Sequence, residues 1–111
     1  MSNPIYLSVG EMHRQITRGE LTPEELVERC FERIEQLDNE VQAWVYLDKA
    51  RALETAKTLT AEAKAGKLRG PLHGIPIGIK DNVDVAGIPT RCGSQAFNGA
   101  PPPDRDALVV E

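Results

Sequence analysis

This sequence of 111 residues has few of the features that mark specialised classes of protein. Aromatic residues make up only 5% of it, so a core must be built mainly from aliphatic side chains. No apolar run approaches the roughly 20 residues of a membrane-spanning helix. The first residues lack a basic stretch followed by an apolar one, which argues against a secretory signal. We therefore expect a cytoplasmic protein that does not enter a membrane.

Basic charge and metal ligands are also scarce. The net charge is -4, and no basic stripe indicates direct nucleic-acid binding. Cys30 and Cys92 form neither a disulfide framework nor a zinc pattern, and His13 and His73 are isolated from each other. We expect no metal, no cofactor and two plain thiols without a catalytic role. The 41% hydrophobic and 27% charged residues are ordinary for a globular domain.

The first part of the chain has the signals of two helices. Ser8 with Glu11 three residues later predicts a helix start, and Gly19 predicts its end. Thr22-Pro23 predicts a stronger start, because threonine caps well and proline fits the first helical position. An apolar face continues this second helix until Asp38-Asn39, where we expect it to stop.

A third helix is expected after a short apolar run. The run, residues 41–47, contains Trp44 and is either a buried strand or an extended link, since periodicity cannot decide at that length. Asp48 then caps a weakly amphipathic helix that Gly66 ends. Residues 1–69 are thus predicted to be mainly helical.

The composition changes at residue 70, and residues 75–80 are interpreted as a strand. Alternate residues of a strand share a face, so the three isoleucines of this segment point into a core. Pro76, Gly78 and Lys80 point to the opposite face, where the two small neighbours leave space above the lysine. Asp81-Asn82 ends the strand.

A loop follows, and the chain stops within its next element. Residues 83–103 are rich in glycine and proline, and loops of roughly twenty residues are usually functional or completed by a partner. Asp104-Arg105-Asp106 resembles a cap before the apolar residues 107–111. Because no stop signal follows, we expect the chain to be part of a longer protein.

Three motifs resemble the amidase-signature family. Residues 70–82 read Gly-Pro-Leu-His-Gly-Ile-Pro-Ile-Gly-Ile-Lys-Asp-Asn, which is similar to the family's lysine-bearing stretch. Residues 87–94 resemble its G-x-x-T-x-x-G-S segment, and residues 106–111 resemble its D-A-x-V-V-E helix start. Together with the helical region, the resemblance covers nearly the whole chain in the expected order.

The resemblance implies an α/β fold in which helices surround a mixed β-sheet. Residues 1–111 would be an incomplete part of one such domain, with residues 70–111 opening the catalytic core. It also implies hydrolysis of a small-molecule amide by a Ser-cisSer-Lys triad, in which Lys80 is the catalytic base. Asp81, Gly78 and Thr90 are possible supporting residues.

Physical chemistry favours the same lysine. A lysine is protonated at neutral pH unless desolvation disfavours its charged form, and an isoleucine-rich strand can supply such surroundings. Alternation along an extended chain points Asp81 away from Lys80, so we expect Asp81 to bond local backbone or support the site from behind. Ser94 matches the loop after the lysine and is not taken as a nucleophile.

The sequence departs from the family pattern because the glycine- and serine-rich segment with both catalytic serines is absent. We therefore expect this chain to be inactive by itself, to expose apolar surface and to be marginally folded. Two alternatives stay open. The chain can belong to the amidase-type subunit of a glutamyl- or aspartyl-tRNA amidotransferase, which has partner subunits, or it can be a non-catalytic remnant or interaction piece. Homo-oligomer formation is possible for the parent protein.

Overall fold

Three helices account for most of the regular structure. The computed structural model describes residues 2–111 and contains α1 (Val9–Arg18), α2 (Pro23–Val41) and α3 (Lys49–Lys64), with short 3₁₀ turns at Pro4–Tyr6 and Gln95–Phe97. Its contacts divide the chain after Pro76. We call the part up to Pro76 the helical unit and Ile77–Glu111 the loop unit.

Helix α1 begins and ends where its capping residues predict. The N–H of Glu11 donates to the hydroxyl of Ser8 at 3.2 Å. Gly19 adopts a left-handed conformation with φ 72°, and its N–H bonds the carbonyls of Gln15 and Ile16. Both predicted ends of this helix are therefore confirmed.

Helix α2 has the predicted start but runs past its predicted stop. Thr22 and Glu25 form a reciprocal capping box, so the start is confirmed. The stop at Asp38-Asn39 is wrong, because the helix continues to Val41. Asp38 is tolerated inside the last turn since its carboxylate accepts the N–H of Ala43, beyond the helix end, at 2.8 Å.

Helix α3 is capped as predicted, and the run before it is an exposed link. Asp48 accepts the N–H of Arg51 at 3.0 Å, and Gly66 lies just past the helix end with φ 72°. Residues 41–47 leave their large side chains in solvent; Trp44 is 41% exposed and Val45 71%. The extended-link interpretation is confirmed and the buried strand is wrong.

The core of the helical unit gathers around the junction of α1 and α2. Four buried side chains form it, and aliphatic residues from the 3₁₀ turn, α3 and the segment after α3 pack against them. The four are Met12, Ile16, Leu21 and Leu26. Thr60 joins α3 to the start of α2, because its buried hydroxyl accepts the N–H of Glu24 at 3.3 Å and donates to its own helix. Aliphatic packing thus supplies the core, as the low aromatic content requires.

A buried histidine fixes the turn that leads out of the helical unit. The Nδ1 of His73 accepts the N–H of Arg69 at 3.1 Å. Its Nε2 therefore carries the hydrogen and donates to the carbonyl of Leu59 in α3 at 2.8 Å. The next residue, Gly74, has φ 75° and lies directly against Pro23 at the start of α2. His73 is thus a structural tie between the turn and α3.

The predicted strand at residues 75–80 is wrong for the described residues. No β-strand forms in residues 2–111, where β-pairing is limited to an isolated bridge between Val85 and Ile88. Ile75 packs against the core, but Ile77 is 68% exposed and Ile79 38%. A strand needs a hydrogen-bonding neighbour, and none is present in this part of the chain. The expected mixed sheet is accordingly not formed here, and the predicted boundary at residues 69/70 stays a prediction.

The expected exposure of apolar surface is confirmed. The apolar side chains in solvent concentrate in the link before α3, in residues 77–79 and near the chain end, where Leu108 is 86% exposed. Among residues 2–111, no helix combines the length and apolar character needed to cross a membrane. Marginal folding of the isolated chain stays a prediction.

Two glycines offer a matched test of the packing at Gly74. A Cβ at Gly74 would overlap the Cγ of Pro23 and lie 2.8 Å from its Cβ, whereas Gly66, with a similar φ, has open space around it. We expect Gly66→Ala to lower the free energy of unfolding by about 1 kcal/mol, for the left-handed backbone alone. Gly74→Ala should cost roughly 1–3 kcal/mol more, for the overlap. Urea titrations followed by far-ultraviolet circular dichroism measure both, and equal losses would contradict the tight contact.

Candidate active site

Lys80 opens a turn in the loop unit. The N–H of Val83 donates to the carbonyl of Lys80 at 3.0 Å, closing a turn of four residues. The side chain of Lys80 is exposed, and so is Gly78 two residues before it. The poorly hydrated environment expected around this lysine is therefore not provided by the described residues, because Ile77 and Ile79 beside it are also exposed.

Asp81 ties the lysine turn to a second turn. Its Oδ1 accepts the N–H of Arg91 at 3.0 Å, and its carbonyl accepts the N–H of Cys92 at 2.8 Å. Asp81 bonds backbone as expected, but the partner lies ten residues along the chain, so the expectation of a local partner is wrong. Two hydrogen bonds from neighbouring residues of the second turn therefore hold Asp81, the residue after Lys80.

The second turn, residues 91–94, has an unusual backbone. The N–H of Ser94 donates to the carbonyl of Arg91 at 3.0 Å, and the two central residues have positive φ, 53° at Cys92 and 64° at Gly93. This is the pattern of a type I′ turn, in which a residue with a side chain is strained. The hydroxyl of Ser94 accepts the N–H of Ala96, so it serves as a cap for the 3₁₀ turn that follows.

Thr90 bonds an aspartate that sequence reasoning missed. Its hydroxyl donates to the Oδ1 of Asp84 at 2.6 Å, and Thr90 itself is half-buried. Asp84 carried no recognisable signal, because it stands alone in a stretch of small and aliphatic residues. The hydrogen bonds thus join Asp81 with Arg91 and Thr90 with Asp84, while Gly78 takes no part in them.

Neither cysteine has the surroundings of an activated nucleophile. Cys30 is half-buried on α2, and burial raises the pKa of its thiol. Cys92 is exposed on the strained turn. Among residues 2–111, no three histidine, cysteine or acidic side chains lie together where they would hold a metal ion.

Comparison with known proteins gives consistent matches. The family model described as amidase matches residues 25–111. The chain is 39% identical over 106 residues to a glutamyl-tRNA(Gln) amidotransferase subunit of Chloroflexus aggregans, covering 96% of this chain and 22% of that protein. It is 40% identical over 104 residues to the subunit of the same name from Chlamydia pneumoniae, with coverages of 94% and 21%.

A solved structure matches as well. The native peptide amidase of Stenotrophomonas maltophilia superposes with a TM-score of 0.84 at 36% identity, over 95% of this chain and 22% of that one. The chain therefore spans about a fifth of the length of each of these relatives.

The two thiols should differ in their reaction with iodoacetamide. The thiolate is the reacting form, so the raised pKa and the partial burial of Cys30 both slow its alkylation. We expect Cys92 in the Cys30→Ser variant to react on the order of tenfold faster than Cys30 in the Cys92→Ser variant near neutral pH. Mass spectrometry measures the rates. The difference should vanish in concentrated urea, and equal rates without urea would contradict the burial of Cys30.

Proposed function

Because the chain belongs to the amidase family, we propose that it forms the lysine-bearing part of an enzyme that hydrolyses carbon–nitrogen bonds of small carboxamides. The observation that carries the proposal is the position of Lys80. It lies within the residues that match the family model, on a turn that Asp81 fixes by accepting two backbone N–H groups, one at its side chain and one at its carbonyl.

In this proposal Lys80 is the catalytic base of a Ser-cisSer-Lys triad. Acting through a bridging serine, its amine takes the proton of a nucleophilic serine, which attacks the amide carbonyl. Ammonia or an amine leaves, and water then releases the acid from the serine. The glycine- and serine-rich segment of the amidase signature is not among the 111 residues. Since the chain spans about a fifth of its relatives' length, the proposal places the activity in a longer polypeptide and none in the isolated chain.

The exposed apolar side chains support an incomplete site. In the longer polypeptide, a mixed sheet covers Ile77 and Ile79. Both are exposed in residues 2–111, and clustered apolar side chains in solvent are typical of a surface that other residues cover. Covering them also removes water from Lys80, and desolvation favours the neutral amine that a base requires. Gly78 leaves room for this closure, and Thr90 supports the loop behind it.

Replacing Lys80 in the full-length protein tests the proposal. Lys80→Met keeps a side chain of similar length without the amine. The loss of a general base lowers kcat by about 10²–10⁴-fold. Lys67→Met, at an exposed position after α3, is the matched control and should keep full activity. Ammonia release from a panel of carboxamides measures both variants. Equal activities of the two variants would refute a catalytic role for Lys80.

A second candidate is the amidase-type subunit of a tRNA-dependent amidotransferase, for glutamyl- or aspartyl-tRNA. The identities of 39% and 40% to glutamyl-tRNA(Gln) amidotransferase subunits favour it. Such a subunit would hydrolyse an amide and pass ammonia to a partner that holds the aminoacyl-tRNA. In this candidate the partner binds the nucleic acid, and the 111 residues carry a net charge of -4 without a basic stripe.

Companion subunits distinguish the two candidates. An independent amidase hydrolyses small carboxamides as a purified protein, alone or as a homo-oligomer. An amidotransferase subunit should co-purify with partners and convert glutamyl-tRNA(Gln) with glutamine as the ammonia source. Purification of the tagged full-length protein from its own cells shows which partners co-purify. The two assays then measure carboxamide hydrolysis and the conversion of glutamyl-tRNA(Gln). Full carboxamide turnover without partners, together with no tRNA product in their presence, would exclude the second candidate.

A third candidate, from a different class, is a non-catalytic interaction piece. Full-length protein that lacks amide turnover with every partner and substrate above would support this role. A cytoplasmic location stays part of the proposal for all three candidates.

A further inference from the structure

The loop that follows Lys80 is held by a segment near the end of the chain. Three hydrogen bonds join residues 84–87 to residues 103–107. The N–H of Gly87 donates to the carbonyl of Pro103 at 3.0 Å, and the N–H of Ala107 donates to the carbonyl of Asp84 at 2.9 Å. The third bond runs from the N–H of Ala86 to the Oδ1 of Asp106 at 2.7 Å.

The bond to Asp106 is the one of these three that a side-chain substitution can remove. The other two bonds join backbone to backbone, whereas the acceptor for Ala86 is a side-chain carboxylate. It is half-buried, and a bond from an amide to an ionised carboxylate is stronger than a neutral one. Val85 and Ile88 form only an isolated bridge, so this loop has no sheet to fix it independently.

The loop held by Asp106 connects directly to the turn of Lys80. Asp84 receives the hydroxyl of Thr90, and the next residue, Arg91, donates its N–H to Asp81. A shift of residues 84–86 therefore moves Thr90 and Arg91 and loosens the contact that fixes Asp81. Every contact in this chain of bonds lies within the loop unit.

We propose that Asp106 is a positioning residue for the reaction, whose carboxylate holds the loop of residues 84–91 so that the Lys80 turn keeps its reactive geometry. This inference rests on the proposed role of Lys80 as the catalytic base. Asp106 does not touch substrate in this view; it acts through Ala86 and the loop.

The turn at Ala86 allows the same bond to be removed from the donor side. In the turn of residues 85–88 the second central residue, Gly87, has φ 78°, and Ala86 is not among the residues with positive φ. That combination is typical of a type II turn, in which proline is favoured at the position of Ala86. Ala86→Pro deletes the N–H that Asp106 accepts and suits the φ of the turn, while its Cδ takes the place of that hydrogen beside the carboxylate.

The experiment uses the full-length protein and a carboxamide that it hydrolyses. Asp106→Ala should lower kcat on the order of 10- to 100-fold with little change in KM, because the reacting amine is misplaced while substrate contacts remain. Asp106→Asn keeps an acceptor oxygen and should restore most of kcat. Asp104→Ala, at an exposed acid two residues away, is the matched control and should behave as wild type.

A double-mutant cycle separates positioning from general loss of stability. Ala86→Pro should lower kcat at least as much as Asp106→Ala does, because the proline also crowds the carboxylate. The double variant should be no worse than either single variant, since all three lack the same bond and the double variant lacks the crowding. Thermal melts of each variant confirm that the protein is folded. Additive losses in the cycle, a change confined to KM, or unchanged kcat in Asp106→Ala would overturn the inference.

The Lys80→Met variant keeps the two proposals distinguishable. Activity lost in Lys80→Met but retained in Asp106→Ala would overturn the role of Asp106 alone. Activity retained in Lys80→Met would instead overturn the proposed base and, with it, the reaction that Asp106 is inferred to serve.

Discussion

The loop unit depends on hydrogen bonds from backbone N–H groups to aspartate carboxylates. Backbone polar groups need partners, and in a sheet neighbouring strands supply them. Residues 77–111 contain no strand, so Asp81 and Asp106 accept the N–H groups of Arg91 and Ala86 instead. These bonds span ten and twenty residues, which closes the chain into loops of defined shape. The position of Lys80 follows from that shape, because no described residue of the loop unit belongs to the buried core.

The helical unit was largely predictable because its signals are local. A capping residue, a proline at the first turn and a glycine after the last turn all act within four residues of a helix end. Thr22 and Asp48 therefore marked the starts of α2 and α3 correctly. The end of α2 was misplaced because Asp38 reaches forward to Ala43, a contact that no local pattern of caps describes.

The loop unit was predictable only in its motifs. Lys80 and Asp81 were identified from a resemblance, and the backbone bonding of Asp81 followed from its side-chain chemistry. The prediction of a strand at residues 75–80 was wrong because a strand needs a neighbouring strand, and the alternation of isoleucines does not show whether one is present. The partners of Thr90 and Asp106 lie six and twenty residues away. The chemistry of one side chain does not determine which amide or carboxylate it will bond.

The exposed link between α2 and α3 has a spectroscopic consequence. It carries Trp44, the one tryptophan of the sequence, with 41% of its surface in water. Indole emission shifts with the polarity of its surroundings, so the intrinsic tryptophan fluorescence of this chain originates from a single known position. Any polypeptide that covers the link will move that emission towards shorter wavelength without the need for an added dye. The chain thus carries its own optical reporter of docking, at a position distant in sequence from the lysine whose chemistry is at issue.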